Sequence, residues 1–115
     1  MQTREHGQIS ILAEVADTAR AALALPTFRG ASHRLRGLIW SPTRLAADLG
    51  DASPTRPNGH WLTPVAFVAG QCVIAATAAG VPAILNTEGL WPEHSVEERR
   101  LMAEADGFRA SLIRL

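Results

Sequence analysis

Short apolar runs alternate with helical runs along the whole chain, and that alternation most limits the folds open to it. "ISILAEVA" (9–16) is a β-branched-rich strand candidate, and "DTARAALALPTF" (17–28) is alanine-rich and helical until Pro26. "RLRGLIWS" (34–41) reads as the next strand, with Leu38, Ile39 and Trp40 as its apolar heart. A polar loop, "GDASPTRPNGHW", starts at Gly50 and carries an Asn-Gly turn signal. "PVAFVAGQCVIAATAAG" (64–80) is a helix opened by Pro64 and closed by Gly80, the usual asymmetry of helix ends. "VPAILNT" (81–87) is a third strand and "SVEERRLMAEADGF" (95–108) a third helix. Ser95 and Glu98 stand at capping-box spacing, and Gly107 supplies the stop. "ASLIRL" (110–115) is a fourth strand. This β-α-β-α-β-α-β order predicts an α/β fold with parallel strands and right-handed crossovers. Periodicity alone leaves a small open sheet and half of an eight-stranded barrel equally open.

At 115 residues the chain is a single segment with room for one modest core. Its formal net charge is zero and its arginines are scattered, which argues against nucleic acid and anionic membranes as partners. The stretch from Trp61 to Asn86 carries no charge, yet Pro64, Gly70, Gln71, Gly80 and Pro82 interrupt it. A buried helix, a turn and a strand explain it better than a membrane span. The polar N-terminus lacks an apolar signal region, so the expected location is cytoplasmic. The single cysteine, Cys72, lies in an apolar run and reads as a small buried hydrophobe.

"GLIWSPTRLAADLG" (37–50) concentrates the functional question. It reads as a buried strand, a sharp turn, and a short polar segment closed by Gly50. Turns after strands are where α/β proteins place chemistry, but the residue at that position is Arg44. "ADTARAAL", "RGASHRLRGLIWSPTRLAADLG", "PVAFVAGQCVIAATAAGVPAI" and "AEADGF" together resemble consecutive segments of the citrate lyase β-subunit-like enzymes. These belong to the HpcH/HpaI aldolase superfamily, which includes CoA-ester lyases such as malyl-CoA lyase. The similarity runs from about Ile9 onward, and "LAADLG" (45–50) is its most specific piece.

The resemblance implies a TIM (β/α)8 barrel, of which this chain would be roughly the second half. It also implies carbon–carbon bond cleavage or formation on CoA esters or keto acids, usually with Mg²⁺. Such a metal polarises substrate oxygens and stabilises a developing enolate. Two carboxylates hold it at the C-terminal ends of neighbouring strands. The first, a family glutamate, falls on Asp17, whose shorter side chain could still ligate. The second, a family aspartate, falls on Arg44: the family reads "EDLAADLG" where this chain reads "TRLAADLG". A guanidinium is a permanent cation without an acceptor atom, so the metal site is expected to be lost. Pairing of Arg44 with Asp17 would fill its place with a salt bridge. Asp48 and Gly50 are read as turn formers.

Two further departures lie at "AILNT", where the family continues into "AIDT", and at "SLIRL", where it runs on to an Ile-His-Pro segment. The family's N-terminal half, with its substrate-binding arginine, has no counterpart. The chain is therefore expected to show little lyase activity by itself. The alternative is a non-catalytic half-barrel that pairs its open strand edges with a second copy or with a separately encoded N-terminal half.

Plainer roles stand beside these. Asp17 also suits the N-cap of the following helix. His6, His33, His60 and His94 show no ligand spacing and are expected in solvent. Glu97 to Arg100 read as an exposed helix face. Trp40, Trp61 and Trp91 are expected in core or loop packing, with Trp40 beside the turn of interest.

Overall fold

In the computed structural model, residues 11–23 and 34–112 are described, and they form one four-stranded parallel sheet with helices between its strands. The elements are β1 (Ile11–Glu14), α1 (Ala19–Leu23), β2 (Leu35–Trp40), α2 (Pro42–Asp48), α3 (Thr63–Ala79), β3 (Ala83–Asn86), α4 (Val96–Ala105) and β4 (Ala110–Leu112). Each strand expected from the sequence is present; β2 and β3 are shorter at both ends than the runs 34–41 and 81–87, and β1 stops at Glu14. Residues 24–28 and 113–115, with Pro26, His6 and His33, lie outside the described residues.

Strand order decides between an open sheet and part of a barrel. The sheet runs β1-β2-β3-β4, each strand beside its predecessor. A doubly wound open sheet reverses direction at a switch point, whereas a barrel is wound steadily one way. The chain is a partial α/β barrel. Registers pair Leu12 with Gly37, Trp40 with Leu85, and Asn86 with Leu112. Gly37 lies in close quarters: a Cβ there would sit 3.0 Å from Cδ1 of Ile84 and 3.3 Å from Cδ2 of Leu12, so those side chains would have to give way.

Side chains two apart on a strand share a face. Leu38 and Trp40 accordingly enter one core cluster with Val65, Val68, Cys72, Ala103 and Phe108. Trp40 is its centre, 1 % exposed. Its indole stacks on Trp61 at 5.5 Å and on Phe108 at 6.1 Å between ring centroids. Its Nε1 donates to the Ala16 carbonyl at 3.1 Å, so the one polar atom of the ring is satisfied where it is buried.

The helix ends follow local chemistry. α3 has proline in its first turn and ends on Gly80 in the left-handed region (φ 76°). α4 has the full capping box: the Ser95 hydroxyl accepts from Glu98 N, and Glu98 accepts from Ser95 N. That backbone bond holds the Glu98 carboxyl below its ordinary range. Gly107, just past α4, is also left-handed (φ 99°).

Two expectations are corrected. The polar segment after Trp40 is a seven-residue helix, α2, because Ser41 caps it and Pro42 occupies the first turn. The charge run on α4 is not all solvated. Arg100 pairs with Glu97 and Glu104, but Arg99 is half-buried and donates to the carbonyls of Trp91 (3.0 Å) and Pro92 (3.1 Å). It pins the loop before its own helix.

Trp40→Ala removes both stacking contacts and leaves a cavity, so it should cost about 3–5 kcal/mol in urea unfolding. Ser95→Ala should cost only about 1 kcal/mol in the same measurement.

Candidate functional site

The candidate site residues lie at and after the C-terminal ends of β1, β2 and β3. β1 ends at Glu14, and the chain then passes through Ala16 in the left-handed region (φ 56°) before Asp17. That backbone is costly for a residue with a Cβ and is held by its surroundings. Ala16 is buried and its carbonyl receives the Trp40 indole.

Asp17 does not cap α1. Thr18 does, its hydroxyl accepting from Ala21 N at 3.0 Å. Asp17 is left to face β2 and α2: Oδ1 accepts from Ser41 N at 3.4 Å and Oδ2 meets the Arg44 guanidinium at 3.3 Å. Arg44 stands in the first turn of α2 and also approaches Glu14 Oε1 at 3.6 Å. Its side chain is 48 % exposed, so these are solvent-screened pairs with modest net strength. What matters is location. One cation lies between the two carboxylates at the end of β1.

Glu14 was missed by sequence reasoning. Its only signal is its place at the last position of a strand, on the same side as a later turn. That becomes visible once β1 and β2 are in register, with Glu14 beside Ile39.

Asp48 reaches further than its own turn. Its Oδ2 accepts from Ala19 N at 2.8 Å, tying the end of α2 to the start of α1 across 29 residues. Leu45 and Ala46 are buried, and Gly50 turns the chain at φ 89°. The third strand end is clamped similarly. The Thr43 hydroxyl donates to the Glu88 carbonyl at 2.8 Å, and Gly89 (φ 74°) packs so close that a Cβ would sit 3.1 Å from that hydroxyl. Asn86 is buried and accepts from Glu88 N at 3.0 Å, which makes it a turn former. The Thr87 hydroxyl donates to Leu112 O at 3.1 Å, closing the gap to β4.

The donors available to a metal do not suit Mg²⁺. Octahedral coordination at short distance needs free oxygen ligands, and here both carboxylates face a guanidinium. Among the described residues, no group of three or more His, Cys, Asp or Glu side chains is placed to hold a metal ion. His60 is exposed, and His94 Nδ1 lies 3.3 Å from Glu98. Also among the described residues, no helix is long and apolar enough to cross a membrane.

A separate groove of about 820 Å³ lies between the loop before α3, the loop before α4, and α4 itself. Trp61 and Trp91 meet edge to face within it, at 5.8 Å. Trp61 Nε1 donates to Asp106 at 3.1 Å, while burial pushes the Asp106 carboxyl up.

Solved structures share this fold. The citrate lyase β subunit of M. tuberculosis, complexed with oxaloacetate and magnesium, matches 90 % of this chain at 28 % identity and TM-score 0.67, over 46 % of its own length. That sequence identity and the sequential parallel sheet agree in making the chain similar to the citrate lyase β-like superfamily. A second structure, protein CitE of M. tuberculosis with magnesium, acetoacetate and coenzyme A, matches 92 % of the chain at 26 % identity and TM-score 0.60, over 39 % of its length. RipC from Yersinia pestis, at 24 % identity, TM-score 0.66 and 90 % coverage over 45 % of its length, shares the fold. This citrate lyase β-like chain thus spans under half the length of the structures it matches. No protein-family model and no curated protein matches it.

Cys72 faces the core behind this site. Burial, with a smaller push from the Asp17 charge, raises its thiol pKa to about 12. In the unfolded chain the thiol ionises first, near 9.0, so its contribution to stability is intact below that pH and is lost as pH rises toward about 12. At pH 8 a thiol reagent should label the native protein at least ~100-fold more slowly than the urea-unfolded chain. Native labelling at the unfolded rate would contradict this burial.

Proposed function

We propose that this segment is the C-terminal half of a barrel from the metal-dependent, CoA-ester carbon–carbon lyases, and that its metal position has been replaced by an internal cation. The observation that carries the reading is Arg44 Nη1 at 3.3 Å from Asp17 Oδ2. Asp17 stands at the family's glutamate position and Arg44 at its aspartate position. A cation at a ligand site opposes Mg²⁺ by roughly 4 kcal/mol per unit charge at 4 Å for an effective dielectric near 20, before solvent screening reduces it. Asp48 and Gly50 act as framework, holding α2 against α1. The magnesium, keto acids and coenzyme A bound by the M. tuberculosis relatives indicate the substrate class from which this chain descends. As it stands, the segment is not a competent lyase.

A second reading has its own support. Among the described residues β1 pairs only with β2, and β4 only with β3. Open edges of a parallel sheet attract further strands. A non-catalytic half-barrel would close them with a second copy or with an N-terminal half supplied by another chain.

Calorimetric titration of the 115-residue chain with Mg²⁺ separates a lost site from a working one. The chain should give no saturable binding up to ~10 mM, and Arg44→Asp, which turns the cation into a carboxylate, should bind at least ~10-fold more tightly. Micromolar binding to the unaltered chain that disappears in Asp17→Ala would sink the reading.

A further inference from the structure

We propose that Asn58 is a site of spontaneous covalent modification, converting to aspartyl and isoaspartyl linkages through a cyclic imide formed with Gly59. The chain has two asparagines, Asn58 and Asn86, and only Asn58 precedes a glycine. An asparagine side-chain amide is attacked by the backbone nitrogen of the next residue. Glycine at that next position has no side chain to block the approach.

The tip of a small hairpin presents this pair. Thr55 bridges Trp61 antiparallel, and Arg56 N donates to His60 O at 2.7 Å. Inside that frame Gly59 N donates to Arg56 O at 2.8 Å, closing a turn with Pro57 and Asn58 at its centre. The φ of Asn58 is not positive, whereas Gly59 stands at φ 86°. This is a type I turn followed by a left-handed glycine, a common hairpin loop.

Two details favour reaction there. Asn58 Oδ1 accepts from His60 N at 2.9 Å, which folds the side chain forward across the Gly59 peptide and polarises its carbonyl carbon. Residues 56–60 are all exposed, and a Cβ at Gly59 would meet no described atom within 4 Å. Water and hydroxide therefore reach both reacting groups. The restraint is the bond from Gly59 N to Arg56 O, which has modest net strength at an exposed tip.

Asn86 is the internal contrast. Its side chain makes the same kind of bond, accepting from Glu88 N at 3.0 Å. Yet Asn86 is 1 % exposed, the next residue is β-branched Thr87, and Thr87 N is committed to Leu112 O at 2.7 Å.

The reaction needs only water. Gly59 N gives up its proton and bonds to Asn58 Cγ, the bond from Cγ to the side-chain nitrogen breaks, and ammonia leaves. Water then opens the imide. Opening at Cγ leaves aspartate, which suits this turn because Pro-Asp-Gly is a favoured turn sequence. Opening at the main-chain carbonyl leaves a chain that runs through Cβ and Cγ. That extra backbone carbon lies between Arg56 O and Gly59 N, so the turn bond loses its geometry. Trp61, at the base of the hairpin, stacks on Trp40, so the isoaspartyl form loosens the core.

Peptide mapping by mass spectrometry, after incubation of the 115-residue chain in mildly alkaline buffer, tests this. The expected result is replacement of NH2 by OH in the Asn58 peptide, with isoaspartate detected there by enzymatic methyl transfer. The Asn86 peptide should convert at least ~100-fold more slowly. Asn58→Gln, which closes only a larger ring, should remain unconverted. The separated isoaspartyl form should melt below the unaltered chain, and Asn58→Asp should melt with it unchanged from the parent. A folded chain that keeps Asn58 intact while its urea-unfolded form converts overturns the proposal. So does equal conversion at Asn86, which would place the reaction in unfolded molecules. An isoaspartyl form that melts like the unaltered chain overturns the link to Trp61.

Discussion

Trp40 is the point at which the separate pieces of this partial barrel are joined. Its ring stacks on Trp61 ahead of α3 and on Phe108 ahead of β4, and its nitrogen closes on the Ala16 carbonyl at the end of β1. A parallel strand has no hairpin to hold it to its neighbour, so contacts made across crossovers must do that work. One large side chain at the end of β2 supplies three of them. It also fixes where the next helix begins: Ser41 is the N-cap of α2, and Arg44 comes one turn later.

The site inherits its geometry from that arrangement. Ala16 is strained into the left-handed region directly before Asp17, and its carbonyl is anchored by Trp40. Asp17 is thereby presented to the first turn of α2 and not to its own helix, where Thr18 takes the capping role. In the proposed reading, the scaffold still brings together the two positions that would hold magnesium in a competent relative. On that same reading, the position of Arg44 carries a permanent cation where a relative would have an acceptor. Asp48, Thr43 and Gly50 hold the frame of this turn through hydrogen bonds and backbone geometry.

Much of this was legible in the residues. Pro64 and Gly80 bracket α3, the Ser95–Glu98 pair starts α4, and the apolar run at Leu38 to Trp40 forms β2, because each depends on local preferences. α2 was legible too, in Ser41-Pro42, but was masked by reading a polar stretch as a turn. Arg99 was misplaced because a charge run says nothing about which member finds buried carbonyls. Glu14 had only its place at the end of a strand as a signal; it joins Arg44 through the pairing of β1 with β2.

By itself the sequence determined the α/β alternation, the family likeness around "LAADLG", and the presence of an arginine where that likeness calls for a carboxylate. These are properties of residue type and spacing, which short-range sterics and hydrogen bonding translate directly. Only the tertiary structure decided between open sheet and barrel, through the order β1-β2-β3-β4. It alone showed that Arg44 lies between Asp17 and Glu14, and that Asp48 serves a helix 29 residues away. Strand order and cross-strand contacts depend on which distant segments bury their apolar faces against one another, and no local window of residues contains that information.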